Sequence, residues 1–122
     1  MPATYRFDDR IVVLELIGQY TMDEIRATIL NSLADSGRPA NSYLLIDLGR
    51  SRSIHDRTSD EIRSMANFIG TLGERFNNRI ALVGPSDFTF GLARMGSVGS
   101  EERGIQSEVF RSVAEARKWL LS

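Results

Sequence analysis

Ile11-Val12-Val13-Leu14-Glu15-Leu16-Ile17 is a β-branched, apolar run broken once, at Glu15. A strand covered on both faces reads this way, so the run is expected to be a central strand. Before it, Thr4 to Phe7 alternates in polarity, and Asp8-Asp9 separates the two runs as a two-residue hairpin loop does. The first two strands are therefore expected to be antiparallel neighbours. After it, Thr21-Met22-Asp23-Glu24 has the spacing of a capping box, and Met22, Ile25, Ile29 and Leu33 follow at helical intervals. Gly37, as a left-handed stop, and Pro39 are expected to end that helix. Tyr43-Leu44-Leu45-Ile46-Asp47-Leu48 reads as a second buried strand.

The same device recurs twice. Thr58-Ser59-Asp60-Glu61 precedes Ile62, Met65, Ala66 and Ile69, and Ser112-Val113-Ala114-Glu115 precedes Ala116 and Leu120. Arg79 to Val83 is a strand between the boxes and Ser107 to Phe110 a weaker one. Between these strands, Ser86-Asp87 can cap a helix with Phe88, Leu92 and Met95 as its buried stripe, loosened by Gly91, Gly96 and Gly99. The order is β-β-α-β-α-β-α-β-α: an α/β domain with a mixed, mostly parallel, five-stranded sheet and helices on its faces.

The chain has 122 residues, 42% of them hydrophobic and 25% charged, with Lys+Arg at 15 against Asp+Glu at 16. That is the size of one domain, residues 1–122, with a core of its own. The near-zero net charge gives no general attraction to nucleic acid, and no apolar run is long enough for membrane insertion. With no cysteine and one histidine, no zinc pattern forms and thiol chemistry is excluded. The start of the chain lacks the apolar stretch of a signal peptide, so a cytoplasmic location is expected.

Ligands of open α/β sheets sit beyond the carboxyl ends of the strands, among helix N-termini. Three segments converge there: Gly18 to Thr21, Asp47 to Ser59, and Gly84 to Phe90. Ser53, His55 and Asp56 invite a triad, but no strand-turn-helix elbow presents the serine, and neighbours in an extended loop point apart. Asp8-Asp9 with Asp47 invites comparison with a phosphoacceptor receiver. The acidic pair precedes the central strand instead of following it, however, and the single lysine, Lys118, lies in the last helix. No Gly-x-x-x-x-Gly-Lys is present, so no P-loop cradles a nucleotide. An acid-base reading on Glu15, Asp47 and His55 has no predicted pocket to serve, and no cofactor is expected. Arg50, Arg52 and Arg57, next to the Thr58 helix start, can hold an anion or remain a solvated charged loop. Phe90 and Arg94 point away from the Phe88/Leu92/Met95 stripe and are candidates for a partner or ligand surface. Met65, Phe68, Phe88 and Met95 are candidate walls of an apolar pocket near the third helix, for a small apolar or lipid-like ligand.

Gly18-Gln19-Tyr20-Thr21-Met22-Asp23-Glu24, Leu45-Ile46-Asp47-Leu48, Arg79-Ile80-Ala81-Leu82-Val83, Phe90-Gly91-Leu92-Ala93-Arg94-Met95 and Val109-Phe110-Arg111-Ser112 with Glu115-Ala116-Arg117-Lys118-Trp119-Leu120 together resemble the SpoIIAA-like STAS-type family of small bacterial proteins. The resemblance implies the element order above and a non-catalytic interaction or regulatory module, with a protein partner or a second copy of itself. Relatives of this fold include anti-sigma factor antagonists, cytosolic domains of anion transporters and, more loosely, CRAL-TRIO-type lipid-transfer domains. In the antagonists a serine at the start of the helix after the Asp-Leu strand is phosphorylated. Asp47-Leu48 matches that strand, whereas the later segment reads Asp56-Arg57-Thr58-Ser59, without the Ser-Ser-Gly and with extra spacing. The resemblance thus makes Thr58, then Ser59, the candidate phosphosite. Edge exposure of the first strand makes a homodimer a further expectation.

Overall fold

The structure is a computed structural model and describes residues 3–51, 59–84 and 104–122. Its elements are β1 (Ala3–Asp8), β2 (Ile11–Gly18), α1 (Met22–Ala34), β3 (Tyr43–Ser51), α2 (Ser59–Thr71), a 3-10 turn (Gly73–Phe76), β4 (Arg79–Val83), β5 (Gln106–Phe110) and α3 (Val113–Leu120). The helix expected over Phe88 to Met95 lies outside the described residues.

The five strands lie in the order β1-β2-β3-β4-β5. β1 runs antiparallel to β2, and the other neighbours are parallel. The α/β class and the mixed, mostly parallel sheet are as the sequence implies. Right-handed crossovers between strands taken in chain order put α1 and α2 on one side of the sheet. There Val12, Leu14, Leu16, Leu44, Ile46 and Ile80 pack against Ile25, Ile29 and Leu33 of α1, with Met65, Phe68 and Ile69 of α2 closing the layer. The alternate residues Ile11, Val13, Leu45, Ala81 and Val83 face Ala116 and Leu120 of α3 on the other side. β2 is thus buried on both faces, which is why its sequence shows almost no alternation.

Local chemistry sets the ends of these elements. Thr21 Oγ1 accepts the Glu24 amide and Glu24 Oε1 accepts the Thr21 amide, each at 3.1 Å, completing the capping box that starts α1. Ser112 Oγ accepts the Glu115 amide at 3.2 Å at the start of α3. One expectation is corrected: Gly37 is not a left-handed stop. α1 ends at Asp35, whose backbone is extended (φ −70°, ψ 124°), and the Asp35 carboxylate takes the Gly37 amide at 2.8 Å. An Asx-type turn therefore does the work assigned to a glycine cap. At Gly73 a Cβ would lie 2.7 Å from Ile105 Cδ1, so a side-chain-free position lets that segment close over the 3-10 turn.

Candidate functional site

β2 and β3 pair in register from Ile11↔Tyr43 to Glu15↔Asp47, and then Ile17 pairs with Arg50 and Gly18 with Ser51. Two residues of β2 are matched by three of β3, so β3 carries a bulge just after Asp47. Asp47 itself supports it: Oδ1 accepts the Gly49 amide at 2.8 Å, a local side-chain-to-backbone bond that competes with the regular ladder. The bulge carries β3 three residues past the Leu48 end expected from sequence. It also brings Arg50, an even-numbered residue, into the row of Ile17, on the sheet side that holds Glu15 and Asp47. Arg50 is exposed there.

This part of the sheet lies beyond the ground that α3 covers, and it holds one ion pair. Arg6 Nε donates to Glu15 Oε1 at 3.0 Å, and the Glu15 side chain is 25% exposed. Glu15 has the arginine partner expected of a carboxylate in a central strand. Across from it stands Asp47, with one oxygen committed to Gly49.

The neighbouring loop is held from below. Gly18 ends β2 at φ +66°, with open space where a Cβ would be, and Tyr20 drops into the core at 4% exposure. Thr21 then caps α1. α2 opens at Ser59 with Asp60 and Glu61 in its first turn, where the helix dipole favours negative charge. The rim thus joins an anchored tyrosine loop and a bulged strand end with an exposed arginine.

Of the residues singled out by sequence, Arg50 lies at this rim and Ser59 starts α2. Arg52, His55, Arg57, Thr58, Phe88, Phe90, Arg94 and Met95 lie outside the described residues, as do Ser53 and Asp56. Met65 and Phe68 are half-buried on α2 and pack against the core on the α1 side. Among the described residues no group of three acidic or histidine side chains is arranged to hold a metal ion, and no helix is long and apolar enough to cross a membrane.

Sequence reading missed a cluster at the opposite end of the sheet. Arg79 stacks over Trp119 at 5.1 Å and over Tyr43 at 5.9 Å, and Arg10 lies over Tyr43 at 5.3 Å. Arg79 Nη1 also donates to the carbonyls of Trp119, Leu120 and Ser122 at 3.2–3.3 Å, tying down the end of α3. Arg117 donates to Asp8 Oδ2 at 3.1 Å and also binds Asp9. These partners are distant in sequence and have no shared periodicity, so no local pattern announces them.

No protein-family model matches the chain, and no curated protein does. Among solved structures, an uncharacterized protein from the DUF3478 family with a SpoIIAA-like fold, from Shewanella loihica PV-4, matches with a TM-score of 0.58. The match covers 97% of this chain and 91% of that one at 17% identity. The fold of this chain is therefore SpoIIAA-like, in agreement with the resemblance seen in its sequence.

Proposed function

We propose that this chain is a STAS-like interaction module that acts in the cytoplasm without catalysing a reaction, and that it meets a protein partner at the carboxyl-end rim of β2 and β3. The observation that carries this reading is the β3 bulge. It turns Arg50 outward on the sheet side of Asp47, a charge carried by a paired strand end. A cation fixed in this way selects a partner by charge position, which contributes to specificity and association rate more than to raw affinity. Phe90 and Arg94 are assigned to the same contact surface on sequence grounds alone. Regulation at Thr58 or Ser59 belongs to this reading: a phosphoryl group at the α2 start adds charge where the helix dipole accepts it.

The test is affinity capture with the wild-type chain and with Arg50→Glu, alongside native and denaturing mass spectra of the freshly purified protein. The charge reversal is expected to lose the captured partner while the circular dichroism spectrum stays the same. Equal capture by both chains would remove the rim from the interaction. A bound small molecule released on denaturation would replace the proposal with ligand binding.

A further inference from the structure

β1 is an edge strand, and its six pairs with β2, from Ala3↔Leu16 to Asp8↔Ile11, run without a shift. The phase of its hydrogen bonding follows from the next strand. The Tyr43 amide donates to the Arg10 carbonyl at 2.7 Å, so Arg10, Val12 and Leu14 turn their main-chain groups toward β3, and Ile11, Val13 and Glu15 turn theirs toward β1. Their partners Asp8, Arg6 and Thr4 point inward, and Ala3, Tyr5 and Phe7 point outward from the sheet. The Ala3 carbonyl accepts from Thr28 Oγ1 of α1 at 3.4 Å. The outward amides and carbonyls of Tyr5 and Phe7 meet no partner among the described residues.

Proteins guard such edges with bulges, prolines or projecting charges. Ala3 to Asp8 has no bulge and no proline. Its one cation, Arg6, is folded back onto Glu15 within its own sheet. The strand is also complementary to itself. Set antiparallel to a copy about a dyad at Arg6, Tyr5 faces Phe7 of the copy and Phe7 faces its Tyr5, and all four outward groups on each strand are satisfied. The half-buried rings of Tyr5 and Phe7 then meet the same rings on one face, a favourable cross-strand pairing. Thr4 meets Asp8 on the other face. The two arginines at the dyad are each neutralised by their own Glu15. An isologous contact of this kind closes at two chains and forms no fibre.

We infer that the β1 edge is a docking surface for a second copy of this chain, joined antiparallel about Arg6 to give one continuous ten-stranded sheet. This surface is separate from the Arg50 rim, and the dimer does not depend on the rim binding a partner. A contact made by one strand pair is small, which places it in the weak and transient class.

The chain has no cysteine, so single cysteines report the register directly. Arg6 is 51% exposed, so Arg6→Cys leaves the core untouched. In the dimer two such cysteines have Cβ atoms roughly 4.5–5.5 Å apart, within reach of a disulfide after slight adjustment. Two Thr4→Cys copies would instead be about 13 Å apart along the strands, at roughly 3.3 Å per residue, and the same holds for two Asp8→Cys copies. Mild oxidation is expected to double the mass of Arg6→Cys in a reductant-sensitive way and to leave Thr4→Cys and Asp8→Cys each monomeric. An equal mixture of the last two is expected to give the Thr4→Cys/Asp8→Cys heterodimer. Cross-linking of the two controls alone, at the rate of Arg6→Cys, would overturn the register. A native mass spectrum of concentrated wild-type protein that held only monomer would overturn the dimer.

Discussion

The Tyr5 hydroxyl donates to Asp35 Oδ2 at 2.7 Å and links β1 to the end of α1. This bond, with the Gly37 amide second, holds the Asp35 carboxyl below its ordinary value. The same bond, then burial and the Asp35 charge, holds the Tyr5 phenol above its own. The two shifts act at opposite ends of the pH scale. A lowered carboxyl stabilises the fold above the unfolded value, roughly 3.9, and that contribution fades as pH falls through the folded one. A raised phenol stabilises below roughly 10 and fades as pH rises through its folded value. Tyr5→Phe is expected to flatten both limbs of the stability profile, measured by urea unfolding across pH, with the largest loss on the neutral plateau, where both contributions are fully present. Arg79 offers a second test at this scale. Its planar fork serves three carbonyls while stacking on two rings, which an ammonium cannot reproduce. Arg79→Lys is expected to lower stability by about 1.5–3 kcal/mol, the range of hydrogen bonds to charged groups, as read by chemical denaturation. Full retention would mean that the stack contributes nothing.

At the scale of elements, the two-way Thr21/Glu24 cap starts the helix that covers β1 and β2. Thr21→Ala is expected to cost about 1 kcal/mol, and Thr21→Asp to restore most of it, in thermal melts of the two variants. This box was legible because a cap needs only neighbours three residues apart. The buried strands were legible because burial on both faces leaves an apolar run, whereas the side that α1 and α2 share followed only from the strand order. The end of α1 was misread, because the Asp35 side chain makes the turn that was assigned to a glycine three residues past the last helical residue. The bulge at Asp47 was not foreseen either. Asp-Leu-Gly contains the carboxylate and the flexible residue it needs, but whether the ladder slips depends on what β2 presents opposite. Arg50 was singled out for its charge. The face on which it sits came only with the pairing.

For the molecule as a whole, the two sides of the sheet are unequally protected. The α1 side holds the larger apolar layer among the described residues, whereas the other side relies on α3, an eight-residue helix. A helix of that length is not stable by itself in water. It persists through burial of Ala116 and Leu120, both at 0% exposure, and through the Arg79 and Arg117 ties to β4 and to the Asp8-Asp9 hairpin. Such an element opens by a sub-global route, at lower free energy than the rest. Leu120→Ala removes the deepest anchor of α3 and is expected to cost about 2–4 kcal/mol. If α3 is a separate unit, hydrogen exchange in this variant accelerates over Val113–Leu120 while the β2 and β3 amides keep protection set by the global stability. Equal acceleration in the strands would mean that the sheet cannot outlast its smaller cover, and that α3 is part of the one cooperative core. The β1 edge is predicted to remain intact when α3 opens, because Tyr5 and Phe7 are held from the α1 side. The dimer register should therefore survive Leu120→Ala, and disulfide formation by Arg6→Cys in that background checks it.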